Sequence, residues 1–209
     1  MKIIDVKPLR IPDVKIIRFE KFTDYSGYFL ETYRKSEFDR VSFLRGLDFV
    51  QANESFLVTN VLRGLHCQWH PSLGKLVRMI NGCFVDIFLD LRAGSPWFGQ
   101  ADSYLFVPYD KYENISEWIW IPPGFAHGIY MISDTRIQYF YTGECNPLCE
   151  AGINPFDKDI QWMMSRPFVR HDVIMSDKDK NAMGLKQWVE SENAQHFQYS
   201  ELKGQSENV

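Results

Sequence analysis

Short runs of β-branched and aromatic residues, broken every few positions by turn residues, dominate the chain. Segments 14–19, 28–33, 49–55, 60–69, 75–80, 83–91, 101–107, 118–121, 127–132 and 135–142 read as strands. Gly27, Gly64, Gly74, Gly94-Ser95-Pro96, Pro122-Pro123-Gly124 and Ser133-Asp134 punctuate them. Asn81-Gly82 between two such runs is a strong hairpin signal, because both residues tolerate positive φ. Many strands at this spacing predict an all-β antiparallel sandwich or barrel. Helices are few. Ser36 is placed to cap a helix over 37–45, with Phe38, Val41 and Leu44 along one side and Gly46 as its stop. A second helix is predicted over 178–190, capped by Ser176 or Asp177 and carrying Leu185 and Trp188 on an apolar edge. One domain is expected over 1–190, followed by a polar tail, 191–209, that is expected to fray.

Composition supports a single compact unit, since 209 residues that are 45% hydrophobic can bury a substantial core. A net charge of -4, with scattered lysines and arginines, argues against a nucleic-acid partner. The longest apolar runs, such as 83–89, fall well short of the roughly 18 residues needed to span a bilayer. The start, Met-Lys-Ile-Ile-Asp, lacks a signal-peptide pattern, so a cytoplasmic protein without a membrane partner is expected. Cys67 and Cys83 lie in apolar runs, and Cys145 and Cys149 form half a metal-ligand pattern that no second pair completes, so all are read as ordinary thiols.

Within the strands a few polar residues stand out. Alternation over 60–69 puts Leu62, Gly64, His66 and Gln68 on one face and Val61, Arg63, Leu65 and Cys67 on the other. Arg63 can join His66 only if the strand bends at Gly64, which glycine permits. Phe84, Asp86 and Phe88 share a face, and a carboxylate between two rings requires a partner. A structural ion pair at the sheet edge fits that pattern equally well. Tyr139 and Tyr141 share a face opposite Gln138 and Phe140, and Lys75 heads an apolar strand directly after Gly74. Taken singly, these residues also suit a core histidine, a packed tyrosine and a solvated lysine. A metal-binding barrel is disfavoured, because His66 and His70 lie about 13 Å apart along an extended strand and no closely spaced histidine pair is present.

Taken together, several segments resemble the dTDP-4-dehydrorhamnose 3,5-epimerase family. They are Arg63-Gly64-Leu65-His66-Cys67-Gln68, Gly74-Lys75-Leu76-Val77-Arg78, residues 90–99, and Trp120-Ile121-Pro122-Pro123-Gly124-Phe125-Ala126-His127-Gly128. Residues 27–33, Gln51 with Asn53, and Ser176-Asp177-Lys178-Asp179 extend the resemblance to roughly residues 10–180. It implies a jelly-roll, cupin-like barrel, a homodimer, no cofactor and no metal. It also implies a nucleotide-sugar substrate, a 4-keto-6-deoxy sugar on the way to a deoxysugar. The ketone makes the protons on carbons 3 and 5 acidic, a base removes each, and an acid on the other face returns one.

By this resemblance His66 is the base, Asp179 holds its imidazole, Lys75 stabilises the enolate oxygen and Tyr139 is the opposing acid. Arg63 pairs with the pyrophosphate, and Gln51, Asn53, Glu31, Gln68, His127 and Asp86 line the substrate site. The assignment of Tyr139 uses a one-residue deletion in the Ser133-Asp134 turn; without it the family tyrosine falls on Phe140. The His66–Asp179 pair further requires that the C-terminal segment fold back over the barrel. Where the family has a phosphate-contacting arginine this chain has Ser26, and its thymine-stacking aromatic aligns with Glu144. Ala52, Glu54 and Pro155-Phe156-Asp157 also depart from the family pattern. A nucleotide, or a nucleotide pose, different from the common dTDP case is therefore expected. The alternatives are a carbon-3-only epimerase, a 3,4-ketoisomerase, or a non-catalytic or metal-binding cupin.

Overall fold

A computed structural model describes residues 2–108, 114–163 and 172–202 of the chain. The first half comprises β1 (Ile3–Pro8), β2 (Lys15–Glu20), β3 (Phe22–Asp24), β4 (Gly27–Phe29), α1 (Lys35–Phe38), β5 (Gln51–Leu57), β6 (Leu62–Gln68), β7 (Lys75–Asn81), β8 (Phe84–Asp90) and β9 (Gln100–Phe106). β10 (Ile115–Ile121), β11 (Phe125–Met131), β12 (Thr135–Tyr141), β13 (Glu150–Gly152), β14 (Gln161–Trp162), α2 (Asp177–Lys180) and α3 (Leu185–Glu190) complete it. Two six-stranded sheets result, ordered β1-β2-β10-β7-β12-β5 and β13-β6-β11-β8-β9-β14. Pairing within the sheets is antiparallel except between β14 and β9, and β3 with β4 forms a separate hairpin. The architecture is the expected jelly-roll barrel.

Three apolar layers hold it together. Ile16, Val77, Phe84, Phe88, Ile119, Ile129 and Ile137 meet between the sheets. The other face of the first sheet buries Ile17, Phe19, Leu76, Trp118 and Trp120 under Phe38 and Leu44. The outer face of the second sheet buries Leu62, Leu65, Val85, Ile87 and Leu89 under Leu185, Trp188 and Phe197 from the C-terminal segment. Every residue of β8 and β11 is consequently buried, which explains why those strands read as apolar runs broken only by Asp86, Asp90 and His127. The fold-back also carries α2 to the edge of β6, which sets up the functional site.

Strand β6 breaks its alternation at Gly64, as Arg63 required. Leu62, Leu65 and Cys67 all belong to the outer layer, so the faces exchange between positions 62 and 65. Gly64 has φ +110°, and a Cβ there would lie 2.6 Å from Gly128 Cα and 2.7 Å from the His127 carbonyl oxygen. Only glycine satisfies both conditions.

The helices differ from the sequence expectation. Ser36 lies inside α1 rather than capping it, and the helix ends after Phe38, with a separate 3₁₀ turn at Ser42–Leu44. The Asp39 carboxylate accepts the Gly46 N–H at 3.1 Å, a side-chain to backbone bond that competes with continued helix. The helix expected over 178–190 is divided into α2 and α3. Ser176 does cap α2, accepting the Asp179 N–H. Asn154 N–H then bonds the Met183 carbonyl, and this strand-like pairing interrupts the helix before Gly184. The strand expected over 28–33 is shortened to β4, while β1 was not anticipated.

The described part of the tail, 191–202, packs against the barrel instead of fraying. Phe197 packs edge-on against Trp188 at 5.0 Å, and Ala93 exchanges backbone hydrogen bonds with Phe197 and Tyr199. Two apolar residues, Phe197 and Leu202, are enough to dock this otherwise polar segment. Its end, 203–209, lies outside the described residues.

Candidate active site

Between the two sheets opens a cavity of about 450 Å³, a size suited to a small-molecule ligand. Its walls include Asn53, Ser55, Arg63, His66, Gln68 and Lys75, and also His127, Tyr139, Tyr141 and Glu150. His66 enters from β6 in the second sheet. Lys75 and Tyr139 enter from β7 and β12 in the first, so histidine and tyrosine come from facing walls.

The His66 Nε2 lies 2.6 Å from Asp179 Oδ1, the shortest contact the imidazole makes. Asp179 is buried at the start of α2, where its other oxygen accepts the Gly64 N–H at 3.3 Å. Burial alone would raise the Asp179 pKa, but the hydrogen bond and charge of His66, with Gly64 and Ser176, hold it below the ordinary carboxylate value. An ionised Asp179 favours a proton on Nε2, which leaves a lone pair on Nδ1 able to accept one. The bulge at Gly64 therefore serves two ends, turning Arg63 into the cavity and binding the carboxylate behind the histidine.

Lys75 is buried at 8% exposure, against the solvated lysine that strand starts ordinarily carry. Its Nζ donates to the His66 carbonyl at 3.4 Å, and the Tyr141 ring lies 6.0 Å away. Burial lowers its pKa from the ordinary 10.5. Tyr139 faces the cavity, whereas Phe140 packs on Trp118 at 5.0 Å in the outer layer, which favours the shortened Ser133-Asp134 turn over the ungapped alternative. Burial pushes the Tyr139 phenol up to about 12, and Ser55 Oγ donates to its oxygen at 3.2 Å. His127 also lines the cavity, with Nε2 at 3.1 Å from both Asp86 oxygens. Burial lowers the His127 pKa and raises that of Asp86, so the pair shares its charge within a dry wall. Asp86 thus has its partner from the adjacent strand of the same sheet.

Of the expected substrate-binding residues, Glu31 and Gln51 are not among those lining the cavity, and Gln68 lines it with its amide engaged by the protein. Glu31 lies outside the cavity and is paired with Arg34 at 2.7 Å. Gln51 stands behind the wall, where its Oε1 accepts the Cys145 N–H and its Nε2 donates to Asn53. Gln68 touches the cavity, but its amide donates to the Pro71 and Glu144 carbonyls and accepts the Asn146 N–H. Those bonds shape the 144–147 loop, and they turn Cys145, Asn146 and Pro147, rather than Glu144, toward the cavity.

Glu150 is the residue that sequence reasoning missed. Its Oε1 lies 3.5 Å from His66 Nδ1 and its Oε2 2.6 Å from Lys178 Nζ. Nothing in the local pattern separates it from the many solvated glutamates, because β13 is only three residues long. Among the described residues no cluster of three or more His, Cys, Asp or Glu side chains is arranged to hold a metal ion.

A base backed by a carboxylate, a buried cation beside it and a phenol on the facing wall can remove a carbon-bound proton, hold the resulting oxyanion and return a proton from the other side. Set in a jelly-roll barrel, this arrangement defines a carbohydrate epimerase of the cupin-like class. The family profile for dTDP-4-dehydrorhamnose 3,5-epimerase matches residues 8–187. A dTDP-4-dehydrorhamnose 3,5-epimerase from Methanothermobacter thermautotrophicus is 38% identical over 82% of this chain and 89% of its own length. A dTDP-4-dehydrorhamnose 3-epimerase from Streptomyces niveus is 30% identical, covering 86% of this chain and 83% of its own. The crystal structure of a dTDP-6-deoxy-D-glucose-3,5-epimerase from Legionella pneumophila, in complex with dTDP-4-keto-L-rhamnose, superposes with a TM-score of 0.79. It is 31% identical, over 93% of this chain and 97% of that one. The chain belongs to the dTDP-4-dehydrorhamnose 3,5-epimerase family.

Proposed function

We propose that the protein epimerises carbons 3 and 5 of a nucleotide-linked 4-keto-6-deoxy sugar through an enolate, with no cofactor. The observation that carries this reading is His66, backed by Asp179 at 2.6 Å, on the cavity wall facing Tyr139. Nδ1 of His66 removes the proton α to the ketone, and the electron pair moves onto the carbonyl oxygen. The Lys75 ammonium meets that oxygen, and its charge contributes most when the enolate forms. Tyr139 returns a proton to the opposite face, which inverts the carbon. Its raised pKa keeps it protonated until the carbanion develops. Arg63, on the cavity rim, suits the diphosphate with its planar fork of donors.

Turnover in D2O, followed by NMR, tests the reading. Two deuterons per sugar, one at each of carbons 3 and 5, are expected. The Streptomyces niveus relative favours a second reading, epimerisation at carbon 3 alone. A single deuteron at carbon 3 would establish that outcome instead.

The proposal includes a homodimer in the cytoplasm. Support for the dimer lies in the β3–β4 hairpin, where Phe22, Tyr25, Tyr28 and Phe29 are exposed, and in β5, the open edge of the first sheet. Glu31 follows that hairpin and is not among the residues lining the cavity of its own chain. Light scattering of the purified protein is expected to give twice the 24.6 kDa chain mass. A monomer mass would remove this part of the proposal. Support for the cytoplasm is the set of free thiols at Cys67, Cys83, Cys145 and Cys149. No helix of the described residues is long and apolar enough to cross a membrane.

A further inference from the structure

We propose that Glu150 is the proton outlet of His66, the group that empties the imidazole between one proton abstraction and the next. The inference rests on the double-epimerisation reading. Inversion with a separate acid leaves the histidine loaded, because the proton returned to carbon comes from the facing wall. The abstracted proton remains on Nδ1 and must depart before carbon 5 can be processed after carbon 3.

The neighbours of His66 narrow the route. Asp179 binds the other nitrogen, its side chain is only 4% exposed, and its pKa is held low. Lys75 is a buried cation that offers no acceptor, and His127 Nε2 is engaged with Asp86. Glu150 Oε1 stands 3.5 Å from Nδ1, and its side chain is 26% exposed, so it touches both the base and water. β13 places it there by pairing with β6, with Glu150 opposite Gln68 and Gly152 opposite His66. Directly paired residues share a face of the sheet, which turns Glu150 toward the cavity with Gln68 and His66. Lys178 Nζ lies 2.6 Å from the far oxygen and anchors it, which leaves Oε1 toward Nδ1.

The transfer balances with water as the only further reactant, which also returns a proton to the Tyr139 phenolate left when the carbon is protonated. The Nδ1–H bond breaks as an Oε1–H bond forms, the imidazole becomes neutral, and Glu150 then passes the proton to water. When the ring turns slightly in the 3.5 Å gap, or a water bridges it, the path is complete.

Glu150→Gln tests the role, because the amide keeps the size and an oxygen for Lys178 but cannot carry the proton. In D2O this variant is expected to lower kcat about ten- to a hundredfold with KM nearly unchanged. A sugar exchanged at one carbon only is expected to accumulate, and added formate or imidazole to restore the second exchange. Lys178→Met is expected to exchange both carbons as the wild type does. If Glu150→Gln forms doubly exchanged product at the wild-type rate, Glu150 is not the outlet. If Lys178→Met reproduces the Glu150→Gln pattern, the glutamate only anchors the lysine and the proposal fails. A wild-type protein that exchanges a single carbon, or none, overturns the double-epimerisation reading itself and removes the need for an outlet.

Discussion

His66→Ala is expected to lower kcat about 10²- to 10⁴-fold, the range that general-base groups contribute, while the affinity for a nucleoside diphosphate stays within a few-fold. Asp179→Asn is expected to reduce kcat as well, since an amide does not hold the proton on Nε2 as an ionised carboxylate does. The double variant decides whether the two act as one unit. With Nε2 and Oδ1 only 2.6 Å apart, Asp179 has no route to the substrate except through the imidazole. Removing it after His66 is gone should therefore cost little more than His66→Ala alone. Rates of solvent-deuterium exchange at carbon 3, measured in single turnovers for both single variants and the double, provide the check. Losses that multiply would show Asp179 acting independently of the histidine. Folding is monitored separately, because Asp179 also accepts the Gly64 N–H in the bulge.

How much of this arrangement was legible depended on whether a residue's role is local. The strand alternation around Gly64 was readable, because a glycine inside an apolar strand signals a bend and an arginine on the wrong face requires one. Asp86 between two phenylalanines announced a buried partner for the same reason: an unpaired carboxylate there is too costly. The divided C-terminal helix was not readable. Its break comes from backbone pairing of Met183 with Asn154, a contact between distant segments that overrides a favourable helical pattern. The docked tail escaped notice because two apolar residues among many polar ones carry no periodicity. Gln68 lines the cavity and Gln51 does not, yet both amides hold the 144–147 loop, and side-chain type alone does not distinguish that use from substrate binding. Glu150 was invisible because its role depends on β13 pairing with β6 across 84 residues of sequence, between Ala151 and Cys67 for example.

Lys75→Met should separate catalysis from stability most clearly, because activity is expected to fall without a loss of stability. The ammonium sits in a wall where burial disfavours its charge, and among the described residues it donates one hydrogen bond, a 3.4 Å contact to the His66 carbonyl. Replacing it with an apolar side chain of similar length removes that penalty, so Tm is expected to stay level or rise. Catalysis should fall about 10²- to 10³-fold in kcat, the usual consequence of removing one oxyanion-stabilising group, with affinity nearly constant. Such a divergence would exclude a structural explanation of the lost activity; an equal fall in Tm would support one. The pH profile supplies a second handle on the same residue. Only the protonated lysine stabilises an enolate, and its pKa lies below the ordinary 10.5, whereas Tyr139 titrates near 12. The alkaline decline of kcat should therefore begin below 10.5 and report Lys75 rather than the tyrosine. Lys75→Arg, whose guanidinium does not titrate in this range, is expected to retain partial activity and move that decline upward. A decline unchanged in Lys75→Arg would assign it to another group and leave the lysine without its proposed part in the reaction.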